Sequence, residues 1–456
     1  MADDVTKADS QWAWSPFEPD AKRPCDRAAA AHLYRRAGFA ASTAQLDVAL
    51  KRSPQDVVAQ LMQPADAKGH FADEMARMGD SMLASGNARN LSAWWLYRML
   101  YTPDPLLEKL TLFWHGHFAT SAAKVTDPKL MLAQNELLRT HARGSFREMV
   151  AGIARDPAML LYLDSATNRK LHPNENFARE VMELFCLGLG NYTERDIQEV
   201  ARSFTGWEVR RGEFQFNPYQ HDEGIKSFLN QSGNFDGDDA VRIVLEQPAA
   251  PRFIATKLIR FFVFDEPEPP AALVDPLAEE LVAGDWNVGP IVQRILASQL
   301  FFSPMATAHK VRSPVELAVG LLRTLEGTTN LYRLAEEVDQ IGQAPFFPTN
   351  VKGWDGGRAW INSASLLGRA NLVRRVVDDQ NSRFAGGPLI GLFNRHNLDT
   401  SEKAVDWVLG LLVATPLPDE SRAKLIDLAE NGPGDRSQRL SDMVHTISTL
   451  PEFQLS

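Results

Sequence analysis

The stretch LHPNENFAREVMELF, residues 171–185, is the segment around which we interpret the rest of the chain. Its apolar residues recur at i, i+4, i+7 and i+8, which is the spacing of one face of an α-helix. These residues are Phe177, Val181, Leu184 and Phe185. Charged residues recur at i, i+4 and i+8 on the opposite side, namely Glu175, Arg179 and Glu183. The pattern predicts an amphipathic helix in the middle of the chain.

The charged face of this helix has two interpretations, and both stay open. One is a solvated ladder of ion pairs between residues four apart. The other is a functional site, because the stretch lies between two strongly apolar helices and opens with a dense polar cluster. The cluster consists of His172, Asn174, Glu175 and Asn176. Charges covered by other elements must be paired, and buried paired charges often mark a site, so the sequence predicts a site here without indicating its chemistry.

The composition excludes several classes of function. The chain has 456 residues, of which 44% are hydrophobic and 23% charged, as in an ordinary soluble globular protein. A net charge of −10, without any Lys/Arg run, disfavours nucleic acid as a partner. No apolar run approaches the roughly 20 residues of a membrane span, and two cysteines are too few for a disulfide framework or a thiolate metal site. The acidic N-terminal residues contain no hydrophobic signal, so we expect a cytoplasmic protein unless an export signal was removed before the numbered sequence.

Helix signals follow one another along nearly the whole chain. Ser53-Pro54 and Asp104-Pro105 each combine an N-cap residue with a proline in the first turn, and Thr193 opens a capping box. The sequence contains no fixed-period repeat and no low-complexity linker. We therefore predict a mostly α fold that forms a single large multi-helix body.

The convincing β signal is the alternation of polar and apolar residues across 207–216, which predicts a short hairpin. A two-stranded hairpin is marginally stable alone, so it should lie against helices and project the loop 217–226. We expect an N-terminal arm at residues 1–24, and one α-helical domain at residues 25–456 with the hairpin as a small excursion.

Seven short stretches carry a resemblance to a known family. They are AHLYRRAGF (31–39), FWHGHFATS (113–121), PNENFARE (173–180), GNYT (190–193), FTGW (204–207), HDEGIK (221–226) and NVKGW (350–354). Each stretch means little alone, but the ordered set is specific. On these residues the chain resembles the bacterial family known as domain of unknown function 1800.

The resemblance implies a mostly α-helical single body and no established activity. Members of the family are often exported, and this chain departs from them in lacking an export signal. Their genes often lie beside genes of a second family, domain of unknown function 1501, which is similar to sulfatases and alkaline phosphatases. The resemblance thus implies a protein of that second family as a candidate partner.

Two histidines lie in patterns that suggest chemistry. His115 and His117 point about 200° apart on a helix, so they do not bind one metal from one face there, whereas on an extended segment they would share a face and could. His117 ends an apolar stripe and is predicted to point inward, either as a hydrogen-bonded core histidine or as an acid/base or metal-binding group. His221 and Asp222 lie on the loop after the hairpin, and their structural alternative is a turn held by the Asp side chain and Gly224.

The glycine- and tryptophan-rich loop at residues 353–360 lacks the strand and the Lys-Ser/Thr pair of a phosphate-binding loop. We interpret it as a packed turn that walls a pocket, with Trp354 and Trp360 as its apolar anchors.

Three functions remain as hypotheses. The first is a hydrolase-like or metal-assisted enzyme with a His/Glu/Arg cluster in a helical cleft, whose candidate catalytic residues are Glu175, Glu180, His117, His221 and Asp222, with Glu183 as a further carboxylate. Its candidate ligand-binding residues are Arg179, Lys226, Asn174 and Asn176. The second is a non-enzymatic companion or maturation partner of a sulfatase- or phosphatase-like protein. The third is an anionic small-ligand binding protein that uses Arg179, Arg202, Lys226 and Arg369.

The hypotheses predict different surfaces. An enzyme requires a deep pocket with convergent carboxylates, a companion requires a flat apolar patch, and an anion-binding protein requires a pocket with surplus cations. We expect His117 to be buried, Glu175 to be more buried than a surface glutamate, and the central helix to face the loop that carries His221. The sequence identifies no metal, cofactor or substrate.

Overall fold

A computed structural model describes residues 8–64 and 69–456, and it confirms the mostly α fold. The protein is 60% helical, and the described residues form three small antiparallel two-stranded sheets. The first seven residues of the predicted N-terminal arm lie outside the described residues. None of the described helices is both long enough and apolar enough to cross a membrane.

Helices succeed one another with short connections. Those of the first half are Ser10–Trp14, Arg27–Ala37, Thr43–Ala49, Pro54–Met62, His70–Ala84, Arg89–Tyr101, Pro105–His117, Pro128–His141, Phe146–Ala154, Pro157–Tyr162, Asn176–Glu180 and Glu194–Ser203. Those of the second half are Gly237–Leu245, Ala249–Phe262, Ala271–Ala283, Val288–Leu296, Pro314–Thr324, Leu331–Gln340, Ser363–Asp378, Leu389–Arg395, Ser401–Leu412, Asp419–Asn431, Arg436–Thr449 and Pro451–Gln454.

The helix starts that the sequence predicts are present. Ser53 accepts a hydrogen bond from the amide of Asp56 (3.1 Å), and Asp104 accepts one from the amide of Leu107 (3.1 Å). A capping box forms at Thr193, whose side chain bonds the N3 amide while the N3 side chain bonds back to the Thr193 amide. These caps satisfy amides that have no partner within the helix.

Two of the three sheets are hairpins, and the third pairs segments that are distant in the chain. Strand β1 (Trp207–Arg210) pairs with β2 (Glu213–Phe216), as predicted. Strand β3 (Lys226–Phe228) pairs with β4 (Gln231–Gly233), and this second hairpin begins where the predicted loop ends. The third pair, β5 with β6, joins Gly327–Thr328 to Arg383–Phe384.

Buried apolar side chains form two clusters in the described chain. The first draws on the N-terminal helices and on residues between 138 and 306, and the second on residues 91–100 and most of the chain after 314. Helix Pro105–His117 contributes to both, with Leu110 in one cluster and Leu112 in the other. Most of the residues of this helix are therefore buried. A single domain at residues 25–456 stays a prediction.

Within the predicted arm, the aromatic anchors attach to the first cluster. Trp14 is buried and its Nε1–H donates to the carbonyl of Leu273 at 2.9 Å. Phe17 stacks on Phe302 with ring centroids 4.4 Å apart. Residues 10–14 of the arm form a short helix.

The central stretch is not one continuous α-helix, and that prediction is wrong. Only Asn176–Glu180 is α-helical, and Val181–Cys186 is a π-helix. The wider turn changes the buried face: Met182 is buried, whereas Leu184 is partly exposed. Isolated π-turns are frequent at functional sites, because they displace carbonyls from the regular helical ladder.

A buried carboxylate, Glu316, connects several helices. Lys109 donates a short hydrogen bond to its Oε1, and the amide of Ser313 donates to its Oε2 at 2.7 Å. Burial alone would raise the pKa of Glu316, but the charges of Lys109 and Lys310 lower it to about 2. Three further buried cations lie within its field, namely Arg36, Arg312 and Arg369.

Replacing Glu316 with glutamine should destabilise the fold by about 3–5 kcal/mol, because it leaves Lys109 as an uncompensated buried charge. Glutamine keeps the size of the side chain and an oxygen for the Ser313 amide. The free energy of unfolding in urea measures the loss.

The matched control is Glu420→Gln. Glu420 pairs with Lys424 four residues away, and the two side chains are 81% and 74% exposed. An exposed pair of this kind contributes little, so the control should change stability by less than about 0.5 kcal/mol. Equal losses in the two variants would contradict the role given to Glu316.

Candidate functional site

A cavity of about 530 Å³ opens at the end of helix Pro105–His117. Its other walls are helix Ala249–Phe262, the segment 310–316 and the loop 352–360. The basic side chains on its lining are Lys257, Arg260, Lys310, Lys352 and Arg358. The acidic ones are Asp265, Glu266, Glu316 and Asp355. A volume of several hundred Å³ suits a small organic ligand.

His117 and Lys257 meet in this cavity and are joined to the π-helix. The Nε2–H of His117 donates to the carbonyl of Phe185 at 3.0 Å. Its Nδ1 therefore has a free lone pair, and Lys257 Nζ donates to it at 3.0 Å. Lys257 Nζ also lies 3.3 Å from the carbonyl of Leu184. The last carbonyls of the π-helix thus hold both side chains, and a helix C-terminus favours a nearby cation.

Electrostatics keep His117 neutral and weaken the charge on Lys257. Burial and the charge of Lys257 lower the pKa of His117 well below its usual value. Burial lowers the pKa of Lys257 to about 8, and the charge of Arg260 acts in the same direction. Among the described residues no carboxylate forms an ion pair with Lys257. A lysine with a depressed pKa in a cavity is a candidate functional group.

Three of the four carboxylates of the cavity wall are paired with cations, and Asp355 is the one for which the described residues show no ion pair. Asp265 accepts from Lys310 Nζ at 2.8 Å and from the amide of Val311 at 2.7 Å. Glu266 pairs with Arg358 at 3.0 Å, and Glu316 is the partner of Lys109 described above. Lys257 is therefore a cation inside the cavity that has no carboxylate partner among the described residues.

The loop 352–360 walls the cavity, as predicted. Trp354 and Trp360 both line it, and the ring of Trp354 lies 3.5 Å from a methyl group built on Gly116. Gly353 has a φ of +79° and sits so close to helix Pro105–His117 that an added Cβ would lie 2.1 Å from the Gly116 carbonyl oxygen. The two glycines let the backbones touch, which seats Trp354 beside the end of the helix.

The predicted residues of the central stretch form surface contacts. Arg179 bonds both carboxylate oxygens of Glu194, at 2.8 and 2.9 Å, and lies 3.4 Å from Glu175. Glu175 is partly buried, with 37% of its side chain exposed against 71% for Glu194. Tyr192 donates to Glu183 at 2.7 Å. These contacts match the ladder interpretation of the charged face.

Asn174 and Asn176 secure the start of the same stretch. The Nδ2 of Asn174 donates to the carbonyl of Asp164 at 3.0 Å, and its Oδ1 accepts from the amide of Asn176 at 2.9 Å. The Nδ2 of Asn176 lies 3.3 Å from the carbonyl of Leu163. Both side chains therefore hold backbone, and their predicted ligand-binding role stays a prediction.

Glu180 is the predicted carboxylate whose pKa is influenced by a residue of the cavity lining, Lys352. Burial and the charge of Glu183 raise its pKa, while the charges of Arg179 and Lys352 act in the opposite direction. Since Lys352 lines the cavity, its charge links Glu180 to the rim. A catalytic role for Glu180 stays a prediction.

The residues of the loop after the hairpin are satisfied by their own neighbours. Asp222 forms a bidentate pair with Arg202, at 2.7 and 3.2 Å, and accepts from the amide of Gly224 at 2.8 Å. Lys226 is buried and donates to the carbonyl of Asp222. His221 donates from Nδ1 to the carbonyl of Thr205 at 2.9 Å. This is the structural alternative stated for the loop, a turn held by Asp222.

The loop contacts the chain just before the central stretch through the backbone. The amide of Lys170 donates to the carbonyl of Gln220 at 2.9 Å. Within residues 8–64 and 69–456, however, no hydrogen bond or ion pair joins His221 or Asp222 to Glu175 or His117. Of the predicted catalytic residues, His117 alone lines the cavity. Their roles as one shared site stay a prediction, and His117 is buried as expected.

Lys257 is the residue that the sequence interpretation missed. It lies in a helix rich in apolar residues, Ala249–Phe262, where a lysine is not distinctive. The available signal was the pair Lys257 and Arg260 within the run FIATKLIRFF, residues 253–262. Among the described residues, no group of three or more His, Cys, Asp or Glu side chains is placed to hold a metal ion.

The fold and the cavity define a mostly α-helical protein with a pocket rich in basic side chains. The chain belongs to the family described as Protein of unknown function (DUF1800), whose model matches residues 32–455. The resemblance stated from the seven motifs is thus confirmed. No curated protein and no solved structure matches the chain. The function must therefore be inferred from the site itself.

Replacing Gly353 with alanine should displace the loop from the cavity, because the new Cβ cannot fit against the Gly116 carbonyl. The matched control is Gly356→Ala, since Gly356 has a similar φ of +76° but nothing within 4 Å of an added Cβ. Both variants bear the cost of an alanine at positive φ, on the order of 1–3 kcal/mol, and Gly356, with ψ of −173°, lies in a region that only glycine commonly adopts. Gly353→Ala should lose about 1–3 kcal/mol more.

Urea unfolding measures this difference, and limited proteolysis of the loop 352–360 reports its displacement. Similar losses in both variants would show that the contact with Gly116 does not hold the loop.

Proposed function

We propose that the cavity binds a small organic anion, with Lys257 and His117 on its floor. The observation that carries the proposal is the balance of charge. The carboxylates of Asp265, Glu266 and Glu316 are each paired with a cation, whereas Lys257 bonds only neutral acceptors. An entering anion would supply the counter-charge that Lys257 lacks.

Buried cations behind the cavity wall add to the positive potential inside the cavity. Three buried guanidinium groups that feel the charge of Glu316 bond backbone carbonyls. Arg36 donates to Ala306 and Arg312 donates to Leu412, each at 2.6 Å, and Arg369 donates to the Arg312 carbonyl at 2.8 Å. Charges of one sign behind low-dielectric walls focus the field in a cleft. Arg369, which the sequence suggested for anion binding, acts in this proposal through the field rather than by contact.

The apolar part of the lining supports an organic ligand rather than a bare inorganic ion. The apolar side chains of the lining include Phe113, Phe261, Val311, Trp354 and Trp360. Ligand sites commonly combine apolar walls with a few polar groups that set orientation. The ligand that this lining suits has an apolar body and at least one acidic group.

The other two hypotheses are supported less directly. A hydrolase needs carboxylates free to act in the cavity, and three of those on the wall are engaged with cations. A companion of a sulfatase-like protein needs an apolar docking face, and the feature described here is a pocket. Both stay predictions.

Phenyl phosphate and benzoate should bind more tightly than uncharged phenol or benzamide, and they should raise the melting temperature of the full-length protein. Lys257→Met should weaken the Kd of the anions about 10- to 100-fold, because it removes one charged hydrogen-bond donor, worth roughly 1.5–3 kcal/mol. Isothermal titration calorimetry measures both affinities.

The matched control is Lys129→Met, which removes an exposed lysine that does not line the cavity. This variant should bind as tightly as the unmodified protein. Equal weakening by the two substitutions, or no preference for anions over uncharged analogues, would refute the proposed function.

A further inference from the structure

Three lysines of the cavity and its wall differ in their partners. Lys109 pairs with Glu316, and Lys310 pairs with Asp265 at 2.8 Å, and a carboxylate partner stabilises the ammonium form. Burial still lowers the pKa of Lys109 to about 8, but Lys109 does not line the cavity. Lys257 bonds an imidazole nitrogen and a carbonyl instead. A neutral acceptor stabilises the ammonium form less than a carboxylate does. Lys257 is therefore the lysine of this site best placed to act as a free amine.

The surroundings of Lys257 resemble those of an amine nucleophile. Its Nζ lies 4.6 Å from the ring centroid of Phe253, and a second cation, Arg260, lies one turn further along the same helix. An apolar wall and a neighbouring cation are two conditions that activate a lysine toward carbonyl compounds. The groups that bear on its charge are His117, Cys186 and Arg260.

We propose that Lys257 forms a Schiff base with the carbonyl group of an anionic small molecule, such as a 2-oxo acid or an aldehyde acid. The inference rests on the proposed anion binding and adds a covalent step to it. Other cations of the lining, such as Lys352 at the rim, would hold the acidic group while the carbonyl faces Nζ.

The step balances without any co-reactant. Lys257 first loses one proton to solvent, because the lowered pKa of His117 prevents the imidazole from keeping it. The amine lone pair attacks the carbonyl carbon, and the carbonyl oxygen takes up a proton to give a carbinolamine. That oxygen then leaves with a second proton as water, and the C–N bond becomes a protonated imine. Overall, the ammonium and the carbonyl give an iminium ion and one water molecule.

Reductive trapping tests the proposal on the full-length protein. The protein is incubated with glyoxylate and cyanoborohydride, and peptide mass spectrometry locates the carboxymethyl-lysine that results. A pKa of about 8 at Lys257 leaves on the order of 100 times more free amine near neutral pH than an ordinary lysine has. Modification should therefore be strongly enriched at Lys257 over the exposed Lys51 and Lys129.

The controls separate this inference from the proposed function. Propanal, an aldehyde without charge, should show much weaker enrichment at Lys257, and equal enrichment would refute the anionic class of substrate. Lys257→Arg should lose the dominant adduct, whereas Lys129→Met, outside the cavity, should keep both the adduct at Lys257 and phenyl phosphate binding. A protein that binds phenyl phosphate but is modified only in proportion to lysine exposure would refute the Schiff base and leave anion binding intact.

Discussion

The buried carboxylate of Glu316 is the interaction on which much of this structure depends. It is paired with Lys109 and surrounded by further buried cations from separate helices. An unpaired charge in such surroundings would cost several kcal/mol, so these helices are stable only in positions that keep the carboxylate within reach. Lys109 lies on the helix that ends at His117, eight residues and about 12 Å further along. The ion pair between Lys109 and Glu316 therefore fixes the position of this helix, and with it the position of His117 in the cavity.

The second determinant is the π-helix Val181–Cys186. In a regular α-helix, Leu184 and Phe185 would have continued the apolar face that begins at Phe177. The wider turn instead directs the carbonyls of Leu184 and Phe185 toward Lys257 and His117. The carbonyl of Phe185 accepts a hydrogen bond from His117 and so places the hydrogen on Nε2. The carbonyl of Leu184 accepts a hydrogen bond from Lys257 Nζ. A local irregularity of the backbone thus determines the protonation and orientation of two side chains in the cavity.

The charge of the cavity differs from that of the whole molecule. The chain carries a net charge of −10, yet the cavity combines an unpaired lysine with buried arginines behind its wall. Net charge describes solubility and long-range encounters, whereas the field in a cleft depends on which charges lie beside low-dielectric walls. A net charge that disfavours nucleic acid as a partner is therefore compatible with the proposal that the cavity binds a small anion.

Local patterns in the sequence determined the fold class and many of the helix starts, because capping and helical periodicity act over a few residues. They also identified the hairpin at 207–216, the inward direction of His117 and the Trp354–Trp360 wall. The tertiary structure alone decided which charges meet. Asp222 pairs with Arg202 and Glu175 pairs with Arg179, so these two candidate carboxylates are engaged in ion pairs. Lys257 lies 140 residues from His117 in the chain, and no local pattern encodes their contact. It arises because the packing of distant helices places the two side chains in one cavity and leaves the lysine without a carboxylate.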